Sequence, residues 1–445
     1  MPLLAVTLLI GACASAPEQR APDDAAEAPP QDAPARTAMP PERAPEPEKP
    51  PEPEEPERPY EEMSLLVSAG RPEAAIAAYE EARLKDPDDP ETLVLLARLQ
   101  MVAGRLDEAR ATLEQVLDEE PEHGEALYTL GLIAGAQDEP EQQLSYLEQA
   151  VEADPEHADA HAAIGEVHLS AERYNDAERA FEKSLDTDPD NFVALVGLGN
   201  VLLSQDEDDR AEEVLTDAIE TQPEYPFAYV DRSRARIGQY ELAAAEEDLT
   251  KAIELEPSYS WNYLDRGRVR AQRGRFEAAV EDFSRAIELN PDIFLSYAQR
   301  ARAYHSLEKP AEAYTDYRKA LEMEPEYYPA YAPYATVAFM QEDFATAAEY
   351  FAEAYEVDRQ AYNYALLSAL AHKFRGDHAA ARSYLESVLQ HFPRDSAYYQ
   401  AARLYMSRSG DSLLLRSAQD EQRDGIRASL VFFLAGHYEV EEQLS

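Results

Sequence analysis

The chain has 445 residues, 40 Lys plus Arg against 89 Asp plus Glu for a net charge of −49, and one cysteine. That charge excludes a nucleic-acid binder that works by neutralising phosphate and disfavours a peripheral protein held to anionic lipid by basic residues. A single cysteine excludes an internal disulfide and any cysteine-based zinc site, and no apolar run approaches the ~20 residues of a membrane-spanning helix.

The first element is Met1–Cys13, MPLLAVTLLIGAC, in which Leu3–Ile10 has the length of a signal-peptide core and is too short to span a bilayer. Ile10-Gly11-Ala12-Cys13 resembles a bacterial lipobox, which implies a signal peptide over residues 1–12 and lipidation of Cys13 as the mature N-terminus. Ala14 in place of Asp implies sorting to the outer membrane. Met1-Pro2 supplies no Lys or Arg for a positive n-region, so an unrelated apolar start, or a start further upstream, stays open.

Residues 13–59 are the second element, a Pro-rich acidic linker in which Ala14–Pro59 holds 14 of the 31 prolines and almost nothing large and apolar. Such a segment buries too little surface to offset its ordering entropy, and its composition predicts a disordered, extended tether.

From Tyr60 a repeat takes over. Pro87, Pro121, Pro155, Pro189, Pro223, Pro257, Pro291 and Pro325 each lie 34 residues after the last, and the next two phases fall on Arg359 and Pro393. Proline cannot continue a helix, so it closes the second helix of each unit. Twelve residues earlier stand Ala75, Ala109, Gln143, Ala177, Ala211, Ala245, Ala279, Ala313, Ala347 and Ala381, a slot that demands close helix approach. Small residues answer them on the first helix, among them Gly131, Gly165, Gly199 and Gly267. Four residues after the alanine slot come large apolar residues: Tyr79, Leu113, Leu147, Phe181, Leu215, Leu249, Phe283, Tyr317, Phe351 and Leu385.

This period and these slots resemble the tetratricopeptide repeat. A clear specimen is Tyr263-x-x-Arg266-Gly267, then Gly274-x-Phe276-x-x-Ala279, Phe283, Ala286 and Pro291. The resemblance implies an all-α superhelical solenoid of about ten helix-turn-helix units over residues 60–427. The first unit has a clipped first helix, and the tenth, from Ser396, loses its second-helix pattern. Residues 428–445 are predicted as a C-terminal capping helix; Val431, Phe432 and Phe433 either pack backward or form an exposed contact patch.

In the family it resembles, first helices line the concave face, and the second, fifth and ninth places of each unit look into that groove. The second place gives Phe227, Trp261 and Leu295, and the ninth gives Arg234, Arg268 and Arg302. Aromatic and arginine side chains anchor interfaces, so these six residues form the candidate partner-binding groove, the alternative being that they serve packing and local ion pairs. Arg232, Arg266 and Arg300 differ: they stand at the seventh place, usually Leu or Ile, and only these units have Asp sixteen residues later, at Asp248, Asp282 and Asp316. A desolvated guanidinium needs a carboxylate, so these are expected as structural ion pairs.

The carboxylate clamp of chaperone-binding members is absent: the fifth places hold Val94, Tyr128, Ala162, Val196, Val230, Leu264, Ala298, Ala332 and Leu366, and only Asn200 fits a ninth place. His157 and His161 have helical metal spacing, but His157 falls in a turn and His161 and His168 on packing slots. No phosphate-binding Gly loop, HExxH or G-x-S-x-G occurs. The expectation is therefore non-enzymatic, without metal, cofactor, nucleic-acid or small-molecule substrate: a scaffold for other proteins or peptides, lipid-anchored in the bacterial cell envelope at the outer membrane and facing the periplasm. It resembles outer-membrane tetratricopeptide lipoproteins. The alternative is a cytosolic regulatory adaptor with a misassigned N-terminus.

Overall fold

The computed structural model describes residues 59–82, 89–407, 411–420 and 424–443, and the predicted signal peptide, Cys13, the linker and Pro87 lie outside them. Between Tyr240 and Glu241 the chain divides into two compact bodies. The first holds α1 (Pro59–Ser68), α2 (Pro72–Ala82), α3 (Pro90–Val102), α4 (Leu106–Glu119), α5 (Gly124–Ala136), α6 (Pro140–Ala153), α7 (Ala158–Ser170), α8 (Tyr174–Thr187), α9 (Phe192–Ser204), α10 (Asp208–Thr221) and α11 (Pro226–Gly238). The second holds α12 (Leu242–Leu255), α13 (Ser260–Gln272), α14 (Phe276–Leu289), α15 (Phe294–Ser306), α16 (Pro310–Met323), α17 (Tyr331–Met340), α18 (Phe344–Val357), α19 (Tyr362–Phe374), α20 (His378–Val388), α21 (Ala397–Ser407), α22 (Asp411–Asp420) and α23 (Asp424–Gln443). No strand occurs among the described residues. Odd-numbered helices are the first helices of their units. Within each body a helix packs on its hairpin partner and on the unit that follows, as a solenoid does.

Close packing explains the small-residue slots. Phe181 on α8 is fully buried, and a Cβ added at Gly165 of α7 would lie 2.5 Å from its ring. A Cβ added at Gly197 of α9, in the next unit, would lie 2.3 Å from the same ring. One side chain is thus clamped between two units by the absence of two others. Leu147 against Gly131, Leu215 against Gly199 and Phe283 against Gly267 repeat the contact. Gln143, the exception in the alanine slot, is accommodated because Gly135 faces its amide.

The turns carry a second periodicity. Every left-handed residue stands 34 after the last: Gly70, Gly104, Asp138, Glu172, Asp206, Tyr240, Gly274, Glu308, Glu342 and Gly376. Each ends a first helix, and the tight bond that closes it is seen where Arg105 N–H donates to Gln100 O at 2.8 Å and Arg173 N–H to His168 O at 2.9 Å. Six of these residues are not glycine, so each holds a Cβ where the backbone disfavours one.

Unit boundaries are tied by the fourth place. Tyr229, Tyr263 and Tyr331 hydroxyls donate to the carbonyls of Pro223, Pro257 and Pro325 at 3.1, 3.2 and 2.7 Å, and His161 Nε2 lies 3.0 Å from Pro155 O. In unit eight Pro329 and Pro333 shorten the first helix: a single 3-10 turn, Tyr328–Ala330, precedes α17.

The tenth unit keeps its second helix despite the lost pattern, in a shifted register. Leu415, which stands where alanine is usual, is exposed, and Leu414 is fully buried instead. The terminal helix begins at Asp424, before the expected Ala428. Of its open residues, Phe432 and Phe433 pack backward, fully buried, while Val431 stays exposed.

Replacing Glu172 by Gly is expected to stabilise the protein by about 1 kcal/mol by relieving the left-handed turn, read as a higher urea midpoint. Gly197→Ala is expected to destabilise by about 1–3 kcal/mol through overpacking against Phe181, with unchanged helicity at low denaturant.

Candidate functional site

The seventh-place arginines bind three helices together. Arg266 donates from Nε and Nη2 to the two Asp282 oxygens at 3.1 and 2.7 Å, and Arg300 forks onto Asp316 at 2.7 and 2.9 Å. Each also reaches back to the preceding unit: Arg266 Nη1 lies 3.3 Å from Thr250 Oγ1 and Arg300 Nη1 lies 3.0 Å from Ser284 Oγ. In the first body Arg232 makes the same backward bond to Thr216 Oγ1 at 3.2 Å. Its expected partner Asp248 belongs to the second body, so that pair stays an expectation. Tyr229, Tyr263 and Tyr297 place their rings 5.8, 5.8 and 5.9 Å from the corresponding guanidiniums, within cation–π range. These arginines hold the array together and are not free to bind a partner.

A larger network surrounds Glu246, buried on α12. Its carboxylate accepts from Arg270 Nε at 2.8 Å, from Arg275 Nη1 at 2.7 Å and from Arg273, while Arg270 Nη1 reaches Asp282 Oδ2 at 2.9 Å. Burial pushes the Glu246 carboxyl up, but the hydrogen bond and charge of Arg270, with the charges of Arg275 and Arg273, outweigh it and hold the group below its usual range. The first body has a simpler counterpart, Arg236 Nε to Glu212 Oε1 at 2.8 Å.

The groove candidates are open to solvent. Phe227 is 38% exposed and Trp261 is 42% exposed, with Leu295 half-buried. Arg234, Arg268 and Arg302 are all exposed. Two of them are paired one turn back on the same helix: Arg234 Nη1 to Asp231 Oδ1 at 3.2 Å, and Arg268 Nη1 to Asp265 Oδ1 at 3.4 Å. Arg302 has Gln299 at that position. Asp231 is itself buried, and burial pushes its carboxyl up against the opposing pull of Arg234 and Asn200. The six candidates divide between the bodies: Phe227 and Arg234 on α11 in the first, and Trp261, Arg268, Leu295 and Arg302 on α13 and α15 in the second.

Two histidines, His123 and His157, cap helices. His157 Nδ1 accepts from Ala160 N–H and His123 Nδ1 from Ala126 N–H, both at 3.3 Å, with their Nε2 atoms turned toward Glu125 and Glu91 of the preceding unit. Asn191 performs the same task one unit on, accepting from Ala194 N–H at 3.0 Å and donating to Asp159 at 2.8 Å. Among the described residues no group of three His, Cys, Asp or Glu is placed to hold a metal ion, and no helix is long and apolar enough to cross a membrane.

Tetratricopeptide repeat models match residues 66–133 and 168–237, 128–177, 267–308, 295–327 and 363–395, together more than half of the chain. The chain belongs to the tetratricopeptide repeat family. Among solved structures, the MamA protein is 27% identical over 38% of this chain and 92% of its own, with a TM-score of 0.36. YrrB, described as a tetratricopeptide protein with an unusual peptide-binding site, is 23% identical over 41% of this chain and 95% of its own, with a TM-score of 0.38. PilF of Pseudomonas aeruginosa is 21% identical over 46% and 92%, with a TM-score of 0.41. No curated protein matches the chain. Membership supports a protein-interaction scaffold, in a family that is generally non-catalytic.

The depressed Glu246 carboxyl sets a sign for acid stability. Its contribution is complete above the ordinary carboxylate range and is lost as pH falls through the lower folded value. Glu246→Gln should cost about 2–3 kcal/mol near neutral pH, and the gap between variant and wild type in urea unfolding should narrow as pH is taken below the ordinary carboxylate range.

Proposed function

We propose that this protein is a membrane-anchored scaffold that binds partner proteins or peptides along exposed first-helix faces, that of Phe227 and Arg234 in the first body and, separately, that of Trp261, Arg268, Leu295 and Arg302 in the second. The observation that carries this reading is the exposure of large aromatic and arginine side chains at the second and ninth places, while the seventh-place arginines are occupied in packing. An exposed tryptophan beside arginines offers contact area and donors at small entropic cost. Arg302 is exposed, with Gln299 rather than an acid one turn back.

The anchor rests on Cys13, the sole cysteine, at the end of a short apolar run and ahead of the Pro-rich linker. A lipid there would moor the array to the outer membrane, and the linker would carry the repeats into the periplasm. No reaction is assigned; among the described residues no group of three His, Cys, Asp or Glu is placed to hold a metal ion.

Two measurements test the reading. Substituting Trp261→Ala, Arg268→Glu and Arg302→Glu together should abolish capture of cross-linked partners from membranes, with helicity and melting unchanged; undiminished capture would place the ligand elsewhere. Cys13→Ala should move the protein from the membrane fraction to the soluble fraction. Fractionation that ignores this change would remove the anchor and favour a cytosolic adaptor.

A further inference from the structure

One turn of the array is unlike the others in charge. Arg273 and Arg275 flank the left-handed Gly274 between α13 and α14, and no other turn carries basic residues at both of these places; the preceding one has Gln239 and Glu241. Both arginines reach the buried Glu246, yet such a carboxylate does not require them. Its counterpart 34 residues earlier, Glu212, takes its hydrogen bonds from one arginine, Arg236, and from Gln239. In the larger network the four guanidiniums of Arg266, Arg270, Arg273 and Arg275 share two carboxylates, Glu246 and Asp282, which leaves two positive charges unmatched.

The surplus opens onto a cavity of about 460 Å³ between α12 and this turn, whose charged lining is Glu246, Glu247, Lys251, Glu254, Arg273 and Arg275. Lys251 and Glu254 answer each other at 3.8 Å. Glu247 offsets one of the unmatched charges, so the cavity stays positive by one in a chain whose net charge is −49. The Arg273 and Arg275 side chains are 31% and 50% exposed, and each spends one Nη on Glu246. Their Nε and second Nη atoms have no partner among the described residues. Arg275 also stands at the start of α14 without a side-chain cap bond, so the positive end of that helix dipole adds to the same sign.

We propose that this cavity binds a phosphate group, free or as a small ester, through the guanidinium donors of Arg273 and Arg275 that Glu246 leaves open. A planar guanidinium offers paired N–H donors that match phosphate oxygens, and bonds between ionised partners are the strong ones. Glu246, itself held by Arg270, fixes both arginines from behind, so little side-chain freedom is left to lose on binding. The cavity is larger than the ion, and the organic part of an ester has room beside Ala243 and Thr250. The site shares no residue with the Trp261, Arg268, Leu295 and Arg302 face, and either can fail without the other.

The test titrates the full chain with inorganic phosphate and, separately, with glycerol phosphate, at an ionic strength held constant with chloride. Phosphate should raise the urea midpoint of wild type above that in chloride alone, since a ligand of the folded state stabilises it. The double change Arg273→Gln and Arg275→Glu copies the Gln239 and Glu241 of the preceding turn. It should weaken phosphate uptake at least about tenfold in calorimetry. Glu247→Gln removes the opposing carboxylate, leaves both arginines in place and should tighten uptake. A tighter hold on glycerol phosphate than on phosphate assigns the site to an ester, and an equal or weaker hold assigns it to the free ion. Wild type that responds to phosphate no more than to chloride overturns the proposal, and so does undiminished uptake by the double variant. If that variant unfolds, Glu247→Gln decides, and phosphate uptake there that is unchanged or weaker overturns the proposal.

Discussion

Two helices approach closely only where one of them gives up its side chain, and the packing of this protein follows from where that happens. Phe181 fills the gap that Gly165 leaves in its own unit and Gly197 leaves in the next. The ring is therefore shared, and neither unit closes its core alone. A buried aromatic at such a shared position contributes several kcal/mol by area, and it does so as a coupling between neighbours. Stability in a repeat array is the sum of such couplings and of the units' own contributions.

Charge is organised by the same neighbour logic. The net charge of −49 needs managing, and arginine does so inside the array as well as on its surface. Arg266 and Arg300 each fork onto an aspartate of their own unit and reach a hydroxyl of the unit before. A desolvated guanidinium left alone would be costly, and the hydroxyls of Thr250 and Ser284 use donor positions that the aspartates leave free. The consequence for function is a division of labour. Seventh-place arginines are committed to packing, and ninth-place arginines, one turn-face away, remain at the surface with Phe227, Trp261 and Leu295.

Much of this was legible before any coordinates. Proline phases, the alanine slot and the large apolar slot are steric demands repeated over ten phases, with Arg359 and Gln143 as single exceptions in the first two, and steric demands leave compositional traces. The Arg266–Asp282 and Arg300–Asp316 spacings were readable because charge at an inward place requires a partner. The left-handed turns were not: with Glu172, Asp206 or Glu342 at the position, composition gives no hint of a conformation that tertiary packing imposes. The hydroxyl acceptors and the three-arginine grip on Glu246 escaped because they join units whose relative placement a sequence does not state. His157 read as a turn residue and proved to be a helix cap, a task that Asn191 performs one unit later. The exposed face was legible as residue types only, and the Asp231 and Asp265 pairing of two of its arginines came from helix geometry. At the C-terminus, Val431, Phe432 and Phe433 left two outcomes open, and the close approach of Gly436 to Leu370 decides how the helix seats.

If neighbour contacts of one repeating unit hold the array, then removing one whole unit in register must leave a folded protein. The measurement is excision of residues 158–191, from the first residue of α7 to the cap of α9, followed by circular dichroism and urea unfolding. The account predicts helicity per residue equal to wild type, a cooperative transition, and a slope on urea reduced about in proportion to the chain removed. Loss of helicity across the shortened chain, or a non-cooperative transition, would contradict it.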